Sequence, residues 1–349
     1  MPDTSRPSEP GAVASQPALG IAERFGVRSL GQLGRDLGAV VRDGLRGARF
    51  QFNVRSAAIL RPSLAFPAYA GRIPKDGLAP VFNLFDRVGG GQRYTQRVSR
   101  TTCRDYRGGA LTYDEHDGTD FACPIGTPLC AAAPGVVVMI RDRWLRGGLT
   151  VAVDHGSGVV TQYTHCARAV TEVGQQVTRG EPVALSGASG YDLVQFFPWL
   201  APHIHFLVMH DGRPTDPFLA AGEPLRPGTW LARNHPTPSG PLPEDASRIE
   251  PSEVSPERLE RVAEACLDDT IRDEFRRAGA GLRDPRPARA ALLEDALCHD
   301  SWAFPESVQG LSVRPERPID RHAVPITLPL PASSYRGCRL ADTLFSAPR

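Results

Sequence analysis

The sequence carries almost no net charge, no CxxC pair and no long apolar run. Of its 349 residues, 40 are Lys or Arg and 39 are Asp or Glu, a formal charge of +1. That balance excludes a broad electrostatic grip on nucleic acid, which needs a clear basic excess. No stretch approaches the roughly 20 apolar residues of a membrane-spanning helix, so no transmembrane segment is expected. The seven cysteines (Cys103, Cys123, Cys130, Cys166, Cys266, Cys298 and Cys338) are sparse and odd in number. Without a CxxC they exclude a Cys-based zinc site or redox motif. Free, mostly buried thiols are expected, with a disulfide or two as the alternative. The N-terminal MPDTSRPSEPGAVASQPALG lacks the basic and continuous apolar regions of a secretory signal, which reads as cytoplasmic. What the chain has instead is 34 Gly and 33 Pro, hence many turns and extended segments, and a 41% hydrophobic content sufficient for a buried core.

Four regions follow from the texture of the chain. Residues 1–20, rich in Pro, Ser and Ala, read as a disordered tail. Residues 21–109 read as a helix followed by loops and short strands. Leu30, Leu33, Leu37, Val41 and Leu45 recur at helical spacing with Arg28, Arg35, Arg42 and Arg46 between them. That helix packs on the body of the protein or lies on a membrane surface. A short strand is expected at Phe50, Phe52 and Val54. Residues 110–220 are β-rich, with strands expected at Gly135–Ile140, Leu149–Val153, Val159–Thr164, Glu181–Ser186 and His203–Met209. Asp154–Gly158 supplies a hairpin turn between two of them. Strands so closely spaced, without intervening helices, predict a mainly β domain built on antiparallel sheet. Residues 221–349 read as a Pro-rich linker and a partly helical, partly extended C-terminal region. Ser255-Pro256 opens a helix expected to run to about Gly279, and a second is expected over Pro287–Cys298.

Six of the nine histidines lie inside the β-rich segment: His116, His155, His165, His203, His205 and His210. His116-Asp-Gly-Thr-Asp120 is an H-x-x-x-D in a Gly-containing turn. His203-Ile-His205 places two imidazoles on one face of a strand, because side chains alternate with a period of two. Together with a distant His and a carboxylate they can close around one metal ion. Zn²⁺ suits such donors, with three protein ligands and an open fourth position for water. A further His can carry protons near neutral pH. His155 reads as structural and His210 as solvated. Tyr113 is a rim residue or a packed aromatic, and Cys166 a core thiol.

These motifs occur in a definite order, with Ala131–Val138, Gln162-Tyr-Thr-His165, Val173–Gly180, Ser186-Gly-Ala-Ser-Gly190 and Gly212–Pro217 around them. Over about residues 110–220 the series resembles the lysostaphin/LytM-type zinc metallopeptidases, the M23 family of bacterial peptidoglycan endopeptidases. The resemblance implies antiparallel sheets with a groove and a single Zn²⁺ per chain at its floor. By motif, it implies His116, Asp120 and His205 as zinc ligands and His165 and His203 as catalytic residues. The implied reaction is hydrolysis of a peptide bond in peptidoglycan stem or cross-bridge peptides of the cell wall.

Three features depart from the family pattern. Tyr191–Pro202, with Phe196, Phe197 and Trp199, replaces a shorter Gly-rich link, and it either walls the groove or packs under the C-terminal region. Leu207 stands where an acidic residue often follows the H-x-H-F. No export signal, anchor or wall-binding module is recognised, although the resemblance implies action at the wall or in the periplasm. Two other readings therefore stand beside the wall endopeptidase: an intracellular metallopeptidase on a non-wall peptide, and a non-catalytic binding or regulatory domain. The flanking regions are long enough to fold over the groove and gate it, or to bind a partner, and one of these roles is expected of them.

Overall fold

A computed structural model of the chain describes residues 17–29, 31–35, 37–38, 60–83, 85, 116–144, 147–190, 193, 196–218, 236–315 and 323–341. The expected tail over 1–16, the strand at Phe50–Val54, Val41, Leu45, Tyr113 and Cys103 lie outside these residues.

Among the described residues, eleven strands form one sheet: β1 (Leu78–Asn83), β2 (Thr119–Ala122), β3 (Pro128–Cys130), β4 (Gly135–Arg143), β5 (Gly148–Asp154), β6 (Val159–Ala169), β7 (Gln176–Val177), β8 (Pro182–Ser186), β9 (His203–His210), β10 (Arg213–Thr215) and β11 (Gly337–Leu340). The path is β11-β1-β2-β9-β6-β5-β4-β7, with β10 beside β9 and β8 joining β3 to β6. The five strands expected over residues 110–220 are present. The sheet is nonetheless mixed, since β1 and β11 pair in parallel while every other pair is antiparallel. Two strands separated by most of the chain cannot be joined by a hairpin, and either direction is open to them.

Alternation along β9 feeds two buried apolar cores, one on each face of the sheet. Ile204, Phe206 and Val208 join Phe121, Val151, Tyr163, Leu330 and Tyr335 on one face. Leu207 and Met209 point to the other face, against Leu259, Val262, Ile271, Leu293 and Phe304. The latter come mainly from α3 (Pro256–Ala265), α4 (Asp269–Arg277) and α5 (Arg286–His299). Burial of each such side chain contributes about 1.5–3 kcal/mol. An apolar residue at 207 is therefore what lets these helices dock. His203 and His205 share the parity of Leu207, so the helix-covered face of the sheet also carries the H-x-H.

The expected helix from Pro256 toward Gly279 is two helices. Asp268 accepts hydrogen bonds from the Thr270 and Ile271 amides and starts a new N-terminus. The second expected helix is present as α5. Ionic contacts fasten it to the sheet. Buried Arg314 donates to both Glu294 carboxylate oxygens, at 2.7 and 2.9 Å, and to Asp154 at the end of β5. Arg141 of β4 pairs with Asp295, and Arg143 donates to Glu274 and Asp300. The extended C-terminal stretch runs through the first core, where the Cys130 amide donates to Pro329 and the Thr327 amide to Ala132.

At the other end of the sheet, α1 (Ile21–Arg24) is tied to β6 by Glu23–Arg168, and Arg28 pairs with Asp142. Within the Tyr191–Pro202 segment, Phe197 and Trp199 pack against N-terminal elements, while Leu193, Leu200 and Ala201 share a buried cluster with Phe82 and Ala341. Phe197 meets Phe25 and Tyr69 edge-on, and Trp199 meets Phe66 of α2 (Pro62–Tyr69). Among the described residues, six cysteines are free thiols and five of these are buried. No described helix is long and apolar enough to cross a membrane.

Candidate metal and catalytic site

β2, β9 and β6 lie side by side, and their register assembles the site. Asp120 of β2 stands opposite His205 of β9, and Thr164 of β6 flanks His205 on the other side. Phe121 faces the first core, so Asp120 faces the helix-covered side with His205. His116 enters from the turn before β2. Gly118 makes that turn feasible: a Cβ there would sit 2.7 Å from the Phe206 carbonyl and 2.8 Å from the His205 ring.

His165 reaches the same place by breaking the alternation of β6. Its φ is +63°, and its amide donates to Gly147. Tyr163 and Cys166, on either side, both lie in the first core. The single left-handed residue between them turns its ring toward His203, with centroids 4.8 Å apart. Cys166 is thus the core thiol the sequence implies, its pKa pushed up by burial.

All five residues of the two motifs and the Tyr-x-His converge. His205 Nδ1 lies 3.1 Å from His116 Nε2 and 2.9 Å from Asp120 Oδ1. His116 Nε2 is 3.2 Å from Asp120 Oδ2, and His203 Nε2 is 3.7 Å from Asp120 Oδ1. One ligand atom from each of His116, Asp120 and His205 lies within 4.8 Å of the other two. Three electron-pair donors so close repel one another unless a proton or a metal ion lies among them. This donor set therefore fits a metal ion.

The electrostatics follow from burial and from that crowding. Burial opposes ionisation of Asp120, but the imidazoles of His116 and His203 outweigh it and hold the carboxyl well below the usual range. Burial also opposes a charge on His205, yet Asp117 and Asp120 push its pKa up to about 10. Burial, helped by His203 and His205, drives His165 down to about 3, and burial lowers His203 as well. Each of these two rings is held by a main-chain carbonyl: His165 Nδ1 donates to Ser189 at 2.8 Å and His203 Nδ1 to Ala201 at 2.7 Å. A carbonyl only accepts, so each neutral ring carries its proton on Nδ1 and its lone pair on Nε2.

Two neighbours were not legible as site residues. Asp117, inside the H-x-x-x-D, accepts from His205 Nε2 at 3.1 Å, and His299, the last residue of α5, contacts Asp117 at 2.7 Å. His299 carries no motif; only the fold brings it here. His210, expected in solvent, is buried and lies 3.4 Å from Asp211, because β10 pairs alongside it.

His155 stands apart from the site. Its Nδ1 donates to the Pro134 carbonyl and the Thr161 hydroxyl donates to Nε2. Burial lowers its pKa from 6.5 to about 4. A folded-state pKa below the unfolded one gives stability that is complete above pH 6.5 and is lost as pH falls toward 4. His155→Gln is expected to flatten this acid loss by roughly a few kcal/mol. Urea midpoints at pH 7, 5.5 and 4 for both proteins measure it; parallel pH slopes would refute the assignment.

Residues 114–217 match the model for peptidase family M23. The peptidoglycan DD-endopeptidase ShyA of Vibrio cholerae serotype O1 is 39% identical over 101 residues, which is 29% of this chain and 22% of that protein. The DD-carboxypeptidase/endopeptidase Mpg of Neisseria meningitidis serogroup B is 32% identical over 110 residues, 32% of this chain and 24% of that protein. A solved zinc containing peptidase from Vibrio cholerae is similar at 32% identity and a TM-score of 0.27, covering 35% of this chain and 34% of that one. The chain thus spans less than a quarter of the length of these two relatives.

Proposed function

From the premise that residues 114–217 form a domain of peptidase family M23, we propose that the protein is a zinc metalloendopeptidase that hydrolyses peptide bonds in peptidoglycan stem or cross-bridge peptides. The observation that carries this reading is the convergence of the His116, Asp120 and His205 donor atoms, with the His203 and His165 rings beside them. His116 Nε2, an Asp120 oxygen and His205 Nδ1 would hold the zinc. Bound there, it would polarise the scissile carbonyl and bring the pKa of water toward about 7.

The remaining chemistry belongs to the two other histidines. The His203 and His165 rings are neutral, and each turns an Nε2 lone pair away from the carbonyl that fixes its Nδ1–H. Such a nitrogen accepts a proton from the attacking water and afterwards delivers it to the leaving amine. While it carries that proton, it also donates toward the negative oxygen of the tetrahedral intermediate. Both roles need the ring already oriented, which the Ala201 and Ser189 carbonyls accomplish.

Incubating the zinc-loaded full chain with purified peptidoglycan, beside the same protein held in chelator, tests the proposal by mass spectrometry. New fragments bearing a free amine and a free carboxylate at one peptide bond are expected from the loaded protein alone. A loaded protein that releases no such fragments would overturn the wall substrate.

A further inference from the structure

Both ring nitrogens of His205 are held. Its Nδ1 faces His116 and Asp120, while its Nε2 lies 3.1 Å from Asp117 Oδ1. An ionised carboxylate only accepts, so the Asp117 contact keeps a proton on Nε2, and Nδ1, facing His116 and Asp120, is the nitrogen left to exchange its proton for a metal ion. A ligating imidazole needs this partner to fix its tautomer and its ring plane.

Asp117 is itself held. Its Oδ2 accepts from His299 Nε2 at 2.7 Å. His299 Nδ1 in turn donates to the Asp295 carbonyl at 2.9 Å, with Asp295 Oδ1 at 3.3 Å. His299 therefore donates through both nitrogens, and its positive charge sits at the C-terminal end of a 14-residue helix, where the helix dipole favours a cation. That helix is fixed to the sheet through Asp295–Arg141 and Glu294–Arg314. A residue 182 positions away in sequence is thereby aimed at the turn that carries the first motif.

We infer that Asp117 and His299 are positioning residues: through Asp117, the C-terminal helix α5 holds His205 in the tautomer and orientation that offers Nδ1 to the metal. The inference deepens the proposed function and rests on His205 being a ligand. Asp117, Cys298 and His299 also group closely enough to suggest a second metal site. The hydrogen bonds favour the relay instead, because His299 Nε2 presents a proton to Asp117 and not a lone pair.

The test measures zinc stoichiometry and affinity of the full chain by competition with a chromophoric chelator, and the visible spectrum of the Co²⁺-loaded protein. Asp117→Ala and His299→Ala are each expected to weaken zinc binding about 10- to 100-fold. The double variant should be no weaker than Asp117→Ala, since His299 acts through Asp117. His299→Gln, whose amide still donates, should recover most of the affinity, and Asp117→Asn, whose single amide oxygen accepts from His205 but not from His299 as well, should recover part of it. They also serve as the folded controls if either alanine variant is unstable. An altered Co²⁺ spectrum in the alanine variants, restored in the conservative ones, separates positioning of His205 from general loosening. Cys298→Ser should bind like wild type. Wild-type affinity and spectrum in Asp117→Ala and His299→Ala, or two zinc ions per chain with one lost in Cys298→Ser, would overturn the relay while leaving the metallopeptidase reading intact. A wild-type chain that binds no zinc would overturn both.

Discussion

Asp120→Ala should empty the protein of metal and reduce peptide hydrolysis by on the order of 10³-fold or more, the scale set by losing a shift in water pKa from 15.7 to about 7. Asp120 is the hub of the site. Its two oxygens lie 2.9 Å from His205 Nδ1, 3.2 Å from His116 Nε2 and 3.7 Å from His203 Nε2. The three imidazoles outnumber it, and it is the one carboxylate among the three ligand residues. Without it, a divalent ion in this buried site would be held by imidazole nitrogens alone, and the remaining carboxylate, Asp117, stands behind His205 at Nε2 and makes no direct bond to the ion to offset desolvation. The β2–β9 ladder should survive, because it pairs through main-chain groups of Thr119–Ala122 whatever the side chain. Metal content by mass spectrometry, circular dichroism and the peptidoglycan digest together check the prediction. A folded Asp120→Ala protein that keeps one zinc and most of its turnover would contradict the ligand assignment.

The site was legible where its signals were local, and it was not where contact depends on distant pairing. Strand alternation predicts that His203 and His205 share a face, and the Gly in His116–Asp120 marks a tight turn; both hold. Alternation alone would have turned His165 away from His203, and only its left-handed backbone brings the ring round. The Cys266–Asp268 break inside an otherwise continuous apolar stripe depends on one capping carboxylate, and the helical period of Leu259 through Phe275 conceals it. His299 has no pattern around it, because nothing in a helix C-terminus announces which strand turn lies opposite. Leu207 held the one faint signal. An apolar residue beside the H-x-H implies that something covers this face, and the cover proves to be α3–α5. Phe197 and Trp199 offered no such clue, since aromatics at a loop pack equally well on either neighbour, and here the N-terminal elements supply the partners.

His203→Ala should separate metal binding from turnover. The three ligand atoms do not include His203, whose Nε2 stands 3.7 Å from Asp120. Zinc content is therefore expected to stay at one per chain. The catalytic constant should fall by about 10²–10⁴-fold, the usual contribution of a positioned general acid–base, with little change in KM. His165→Ala should fall within the same range, because its ring is the immediate neighbour of His203, with centroids 4.8 Å apart, and is oriented by its own carbonyl. If the two rings share the handling of one proton and the stabilisation of one oxyanion, the double variant will lose far less than the product of the single losses. If they act on separate steps, the losses will multiply. His203 packs edge-on against Phe82 at 5.1 Å, so its truncation also loosens that contact, and a packing defect beside reacting groups lowers turnover by displacing them as well as lowering the melting temperature. His203→Gln supplies the control: it fills most of the same volume without a basic ring nitrogen. It should melt close to wild type and turn over as slowly as His203→Ala, whereas recovery of turnover by Gln would mean that His203 supports the site by shape alone.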